Sequence, residues 1–360
     1  MRVALLGAGR IGQLHARVLA ARPEIDAVIL VDADPERART VAAEVGGETA
    51  ISVEDALDQA DAVVIATPTD SHPSLVRAAL ERRVPTFCEK PLSLDLADAA
   101  ELVDQVQVSG VPFQVGFQRR FDPGFREARR LVEAGDLGTV YLVRLIAHDH
   151  EPPPENYIQT SGGLFRDSSI HDFDVLRWIT GQEVDEVYAA GSVRAFDVFA
   201  RHGDVDTAAV ILRLADGTIA QLGQTRHDSR GYDVRMEIVG SRDSVAVGLG
   251  PRTPIRLLEA DPWATDELAW PSFLDRFAIA YADELQAFVQ VALGRRPSPC
   301  TAFDALQALR ISDAASRSVV SNQPVRLNPA PPRDPSPSTR PDPDPRWAPG
   351  VSREARRLTG

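Results

Sequence analysis

Residues 162–178 read GGLFRDSSIHDFDVLRW. As a helix starting near Asp167, this stretch places Asp167, His171 and Asp174 at i, i+4 and i+7, so three polar side chains share one narrow face. Ile170, Phe173, Val175, Leu176, Trp178 and Ile179 make most of the remaining surface apolar. An imidazole titrates near neutrality and can take up a proton, and a carboxylate one turn away can orient it and balance its charge. The plainer alternative is a capped helix start with a core histidine. Nothing inside the stretch decides between them.

Four strand ends supply further chemistry. VALLGAGRIGQLHARVL carries Gly-x-Gly-x-x-Gly at Gly7, Gly9 and Gly12, between an apolar run and an amphipathic segment. In that context Gly7 permits a tight turn, Gly9 lets a pyrophosphate approach the backbone, and Gly12 lets strand and helix pack closely. Arg10 and Ile11 complete the candidate cofactor loop. Asp32 ends the second apolar run, 20 residues after Gly12. There its carboxylate would accept from the adenosine ribose hydroxyls and repel a 2′-phosphate, which favours NAD over NADP. Arg37 and Arg39 are the nearby cations that could serve a phosphate instead. The run ending ATPTDSH brings Thr67, Pro68 and His72 to the same crevice, although a helix start before Pro73 also accounts for His72. FCEKP puts Glu89 and Lys90 at the sheet's carboxyl edge.

The elements that must hold these residues change character along the chain. Up to about residue 121, apolar runs (VALLG, AVILVD, AVVIAT, PTFCEK, FQVGF) alternate with helical segments. This is the pattern of an α/β doubly wound parallel sheet. Beyond it TVYLVRLIAHD, EVYAAGSVRAF, TAAVILRL, TIAQLGQTRH, DVRMEIVG and DSVAVGLG follow one another with turn signals, predicting an α+β domain with a large, mostly antiparallel sheet. Two closing helices are expected, near residues 273–294 and 302–318. The predicted division is 1–121, 122–327 and a tail over 328–360, where nine of 33 residues are proline and disorder is expected.

Composition narrows the function. With 44% hydrophobic and 25% charged residues, the chain is expected to be a soluble protein of two domains. A net charge of −13 argues against nucleic acid and anionic membranes as partners. Two cysteines build no disulfide framework, the N-terminus enters a strand at once, and no Cys/His cluster has zinc spacing. A cytoplasmic protein without a metal is the expectation.

GAGRIG, ATPTDSH, FCEKPLS, GFQRRFDPGF and the 162–178 stretch together resemble the Gfo/Idh/MocA oxidoreductases, over roughly residues 1–325, and within them inositol 2-dehydrogenases. The resemblance implies a Rossmann domain and an open-sheet domain with the substrate between them. It implies Lys90, Asp167 and His171 as the catalytic set. It places Gln118 (also a candidate cofactor contact), Arg119 and Asp174 at substrate-lining positions, with Asp149 and Tyr157 facing the same pocket. A homo-oligomer, commonly a tetramer, is also implied. Ser168, Ser169 and His148 depart from the residues frequent in inositol dehydrogenases, which leaves the polyol open.

The chemistry this implies is NAD-dependent oxidation of a secondary hydroxyl on a cyclic polyol or sugar, with myo-inositol as the leading substrate. Another inositol isomer, an aminocyclitol or a pyranose remains open. An NAD-dependent glycosidase using transient oxidation, or a cofactor-sensing regulator, would be a different class of protein.

Overall fold

A computed structural model describes residues 1–256, 258 and 268–328. Most of the expected Pro-rich tail, from 329, lies outside the described residues.

The first sheet has six parallel strands, β1 (Arg2–Leu6), β2 (Ala27–Val31), β3 (Glu48–Thr49), β4 (Ala62–Ile65), β5 (Thr86–Glu89) and β6 (Phe113–Gly116), in the order β3-β2-β1-β4-β5-β6. The strand order reverses between β1 and β4, and in such sheets that reversal opens a crevice at the carboxyl ends. The central strands are apolar on both faces because helices cover both, and β4 is buried at all four residues. Local signals fix the helix ends. Asp34 caps the Pro35–Val45 helix by accepting from the Glu36 and Arg37 amides, and Gly46 ends it in the left-handed conformation.

The second sheet holds β7 (Val140–His148), β8 (Val184–Ser192), β9 (Thr207–Leu214), β10 (Ile219–Thr225), β11 (Asp233–Gly240), β12 (Ser244–Val247) and β13 (Val325–Arg326), in the order β12-β11-β7-β10-β9-β8-β13. Its pairs are antiparallel except β7 with β10. Strict alternation along β9 turns Ala208, Val210, Leu212 and Leu214 to the core. The helix Ile170–Thr180 packs on that inner face.

The short strands β3 and β13 are not among the expected ones, and two of the expected elements take a different form. The first closing helix breaks at Phe277, giving Phe273–Arg276 and Ala278–Ala292. Leu285, Phe288 and Val289 of the longer piece pack with Val3, Leu5, Val28 and Leu30, so a late segment completes the core of the first sheet. The polar stretch is not one α-helix from Asp167. A π-helical turn over Phe165–Ser169 precedes the Ile170–Thr180 helix, and its wider turn takes Asp167 out of α-helical register with His171.

Candidate active site

The glycine loop divides its work among the three glycines. Gly7 has φ +98°, and a Cβ there would meet the Ala66 carbonyl oxygen at 2.5 Å. At Gly12 a Cβ would meet the Gly7 carbonyl oxygen at 2.0 Å. Gly9 has nothing within 4 Å of a built Cβ, so the protein's own packing does not require it. It caps the Arg10–Ala20 helix without any side-chain acceptor on that helix's first amides. An open glycine before uncapped amides fits a dinucleotide pyrophosphate. Asp32 accepts from the Ala8 amide at 2.7 Å and the Asp34 amide at 2.8 Å, and Arg37 Nη1 approaches it at 3.3 Å. The Asp32 carboxylate is thus fixed to the glycine loop.

The strand ends of β4 and β5 are braced together. His72 is buried, with Nδ1 2.7 Å from the Pro91 carbonyl and Nε2 2.9 Å from the Thr67 carbonyl. Burial pushes its pKa down against the pull of those two oxygens. Glu89 pairs with His15 Nε2 at 2.7 Å. Gln118 donates to the Tyr281 hydroxyl at 3.0 Å and is buried. His72, Glu89 and Gln118 each have a protein partner.

Lys90 is the only lysine in the chain; the other 38 basic residues are arginines. Surface solvation is left to arginine, so an amine at this position calls for a chemical reason. Its Nζ donates to the Asp167 main-chain carbonyl at 2.6 Å and lies 3.3 Å from Asp167 Oδ1. The Tyr157 hydroxyl donates to the same Oδ1 at 2.8 Å, and Arg226 Nη2 lies 2.9 Å from Oδ2. Burial opposes ionisation of Asp167, but the Lys90 and Arg226 cations and the Tyr157 donor outweigh it and hold the pKa at about 2. Arg226 Nη1 reaches Asp149 at 3.2 Å.

The structure corrects three sequence expectations. Asp167 does not orient His171: its oxygens are taken by Lys90, Tyr157 and Arg226, and His171 Nδ1 is buried with no hydrogen-bond partner. The His171 ring stands edge-on to Phe117, with centroids 5.8 Å apart. Burial, followed by the Lys90 and Arg119 charges, pushes its pKa well below the ordinary histidine value. Asp174 is not part of a shared polar face. It is 1% exposed, and Arg120 grips it at 2.5 and 2.8 Å while also reaching Asp304. Arg119 does not line an open pocket either, because its guanidinium is buried against Asp172. The adjacent arginines therefore clamp the Ile170–Thr180 helix at Asp172 and Asp174, on either side of Phe173.

Arg226 was not anticipated, yet strand parity marks it. Ala220, Leu222 and Gln224 are the inward positions of β10, and residue 226 continues that parity. A charge at an inward strand position needs partners, and here they are site carboxylates. Gln224 bonds to Ser168 and Ser169, so the same strand anchors the π turn. His148, Asp228 and Asp233 also lie near enough to one another to hold a metal ion, but Arg235 already pairs with Asp233 at 2.9 Å.

Comparison with known proteins places the chain. The model of the oxidoreductase family with an NAD-binding Rossmann fold matches residues 1–117, and that of the GFO/IDH/MocA C-terminal domain matches 125–246. The chain belongs to the Gfo/Idh/MocA family. It is an oxidoreductase acting on CH–OH groups, with an NAD-binding Rossmann domain. Myo-inositol dehydrogenase Hyg17 of Streptomyces leeuwenhoekii is 40% identical over 326 residues, covering 89% of this chain and 98% of that protein. A myo-inositol dehydrogenase of Corynebacterium glutamicum superposes with a TM-score of 0.83 at 34% identity, over 92% of this chain and 99% of that one. The scyllo-inositol dehydrogenase of Lactobacillus casei, solved with NAD(H) and scyllo-inositol, gives 0.81 at 30% identity, over 91% and 98%. Among the described residues no helix is long and apolar enough to cross a membrane.

Proposed function

We propose that the chain oxidises a secondary hydroxyl of a cyclic polyol to the ketone with NAD rather than NADP, and that myo-inositol, converted to 2-keto-myo-inositol, is its substrate. The observation that carries this reading is the convergence of Lys90, Asp167 and His171 at the carboxyl edge of the nucleotide sheet. Relatives named for myo- and scyllo-inositol support a cyclitol. Asp32, fixed beside the glycine loop, supports NAD.

Bound NAD supplies the acceptor for the hydride that leaves the carbinol carbon. This chain's residues handle the proton and the charge. The depressed pKa of His171 keeps it a neutral imidazole, able to accept the hydroxyl proton. Lys90, held by Asp167, hydrogen-bonds the same oxygen and stabilises its developing negative charge. Tyr157 and Asp149 stand beside Asp167 and would meet the neighbouring hydroxyls.

The test is a panel of cyclitols and pyranoses with NAD and NADP, followed at the absorbance of reduced nicotinamide. Turnover of myo-inositol with NAD is expected. Release of an aglycone from a glycoside without net reduced nicotinamide would replace this reading with a glycosidase.

A further inference from the structure

Arg226 holds a position in the site that the reaction, as usually divided between an acid–base residue and an oxyanion partner, does not assign. One guanidinium spans two carboxylates, with Nη1 at 3.2 Å from Asp149 and Nη2 at 2.9 Å from Asp167. The side chain is 4% exposed, and its Nε is buried without a hydrogen-bond partner. Satisfying every guanidinium donor was therefore not what fixed this arrangement; reaching both carboxylates was. The groups facing Asp167 come from four places: Lys90 after β5, Tyr157 from the short Glu155–Ile158 helix, Arg226 after β10, and Asp149 after β7 across the guanidinium. Lys90 and Arg226 are the cations among them, and Lys90 is the one the reaction uses.

We propose that Arg226 is a positioning residue: by bridging Asp149 and Asp167 it fixes the Asp167 carboxylate in the orientation that aims the Lys90 ammonium at the substrate oxygen. The inference rests on the dehydrogenase reading above. The physical argument is one of support. Without Arg226, Asp167 Oδ2 loses the cationic arm that holds it, so the carboxylate is free to turn about its Lys90 and Tyr157 contacts and takes up a proton at higher pH. A protonated or rotated Asp167 is a weaker acceptor for the Lys90 ammonium, which then holds its main-chain contact to Asp167 but loses the carboxylate that sets its direction. Displacements of this size cost turnover more than binding. Arg226 touches neither hydride nor proton, so its effect must pass through Asp167 and Lys90. Burial and the nearby Asp167 charge already push the Asp149 pKa up against the pull of Arg226, consistent with carboxylates that need the bridge.

The experiment compares Asp149→Asn with Asp149→Asn/Arg226→Gln, so that no second buried carboxylate is left unpaired and both proteins can fold. NAD binding and melting temperature check that they have. Relative to the single variant, the double variant is expected to lose about 10- to 100-fold in kcat with little change in KM. Its acid limb in kcat should move to higher pH. Arg226→Lys, which keeps one cation but not both arms, should restore the acid limb more fully than kcat. Equal kcat and equal acid limbs in the two Asp149→Asn proteins would show that Arg226 only neutralises Asp149, and the proposal would fall. Because Lys90 is the only lysine, 15N-lysine labelling gives an activity-free readout. Its ammonium resonance should shift and broaden in the double variant, and an unchanged resonance would equally overturn the proposal. A wild-type protein that oxidises no polyol would defeat the dehydrogenase reading, while the lysine signal would still decide on Arg226.

Discussion

Lys90 donates to the main-chain carbonyl of Asp167 at 2.6 Å and lies 3.3 Å from its carboxylate. One residue directly follows the fifth strand of the nucleotide sheet and the other sits in the π turn before the second domain's buried helix. The contact thus joins the nucleotide sheet to the π turn that precedes the Ile170–Thr180 helix. Asp167 alone has an ordinary explanation as a helix cap. Its pairing with Lys90 beside an uncharged histidine does not.

The lysine itself is open to a direct test. Lys90→Arg keeps the charge, but a planar guanidinium cannot occupy the tetrahedral position between the Asp167 carbonyl and a substrate oxygen. We expect kcat to fall by about 10²–10³-fold in Lys90→Met, with Lys90→Arg recovering little of it and NAD affinity unchanged in both. Near-wild-type turnover in Lys90→Arg would mean that a positive charge alone suffices.

Cofactor choice rests on Asp32. Its carboxylate holds the Ala8 and Asp34 amides, so Asp32→Ala removes a loop anchor as well as a ribose acceptor. KM for NAD should rise, and the preference for NAD over NADP should shrink as Arg37 is freed from Asp32. The comparison is kcat/KM for each cofactor in both proteins. An unchanged ratio would move the ribose contact elsewhere.

The nucleotide domain was legible because its signals are local. The glycine spacing and the strand and helix periodicity each depend on a few neighbouring residues, and together they point to a doubly wound parallel sheet, though not to its strand order or to the two-residue β3. Lys90 and Asp167 could be singled out, because motifs mark them. Their partners could not, because pairing depends on approach in space. Asp172 and Asp174 differ by two positions in one motif, yet each is claimed by a different arginine more than 50 residues away. The π turn is also invisible to a helix-periodicity argument. One extra residue in a turn moves Asp167 from His171 to Lys90 and Arg226 without changing the apolar pattern.

The arginine clamp gives a stability prediction. Arg119 and Asp172 are both buried, and Asp172 Oδ2 has no hydrogen-bond partner. Arg119→Met should cost about 3–5 kcal/mol, because an unpaired carboxylate is left inside. Burial already pushes the Asp172 pKa up, and loss of the guanidinium pushes it further, so the deficit should shrink as pH falls and the carboxyl is protonated. Arg119→Met/Asp172→Leu should lie much closer to wild type. Urea unfolding at two pH values checks all three, and a mild Arg119→Met would show that water reaches Asp172.

The last prediction concerns the pH dependence of turnover. His171 must be neutral to accept a proton, and burial with the Lys90 and Arg119 charges holds its pKa well below the ordinary value of about 6.5. The acid limb of kcat/KM should therefore lie below pH 6.5, with activity flat through neutrality. The same shift carries a stability cost. Between the unfolded and folded pKa of His171 the unfolded chain binds a proton that the native protein does not, so stability falls as pH drops through that window. Asp167 acts at a lower pH: it is held at about 2, so its contribution is present above the unfolded value of about 3.9 and is lost only as pH falls towards 2. His171→Gln separates the two. It should remove the histidine limb, lower kcat by about 10²–10⁴-fold and make the protein less sensitive to mild acid. If His171→Gln keeps both its turnover and the acid limb, the imidazole is not the proton acceptor. The limb would then have to come from a group that still ionises in the variant, and the role of the base would pass to the Lys90 amine.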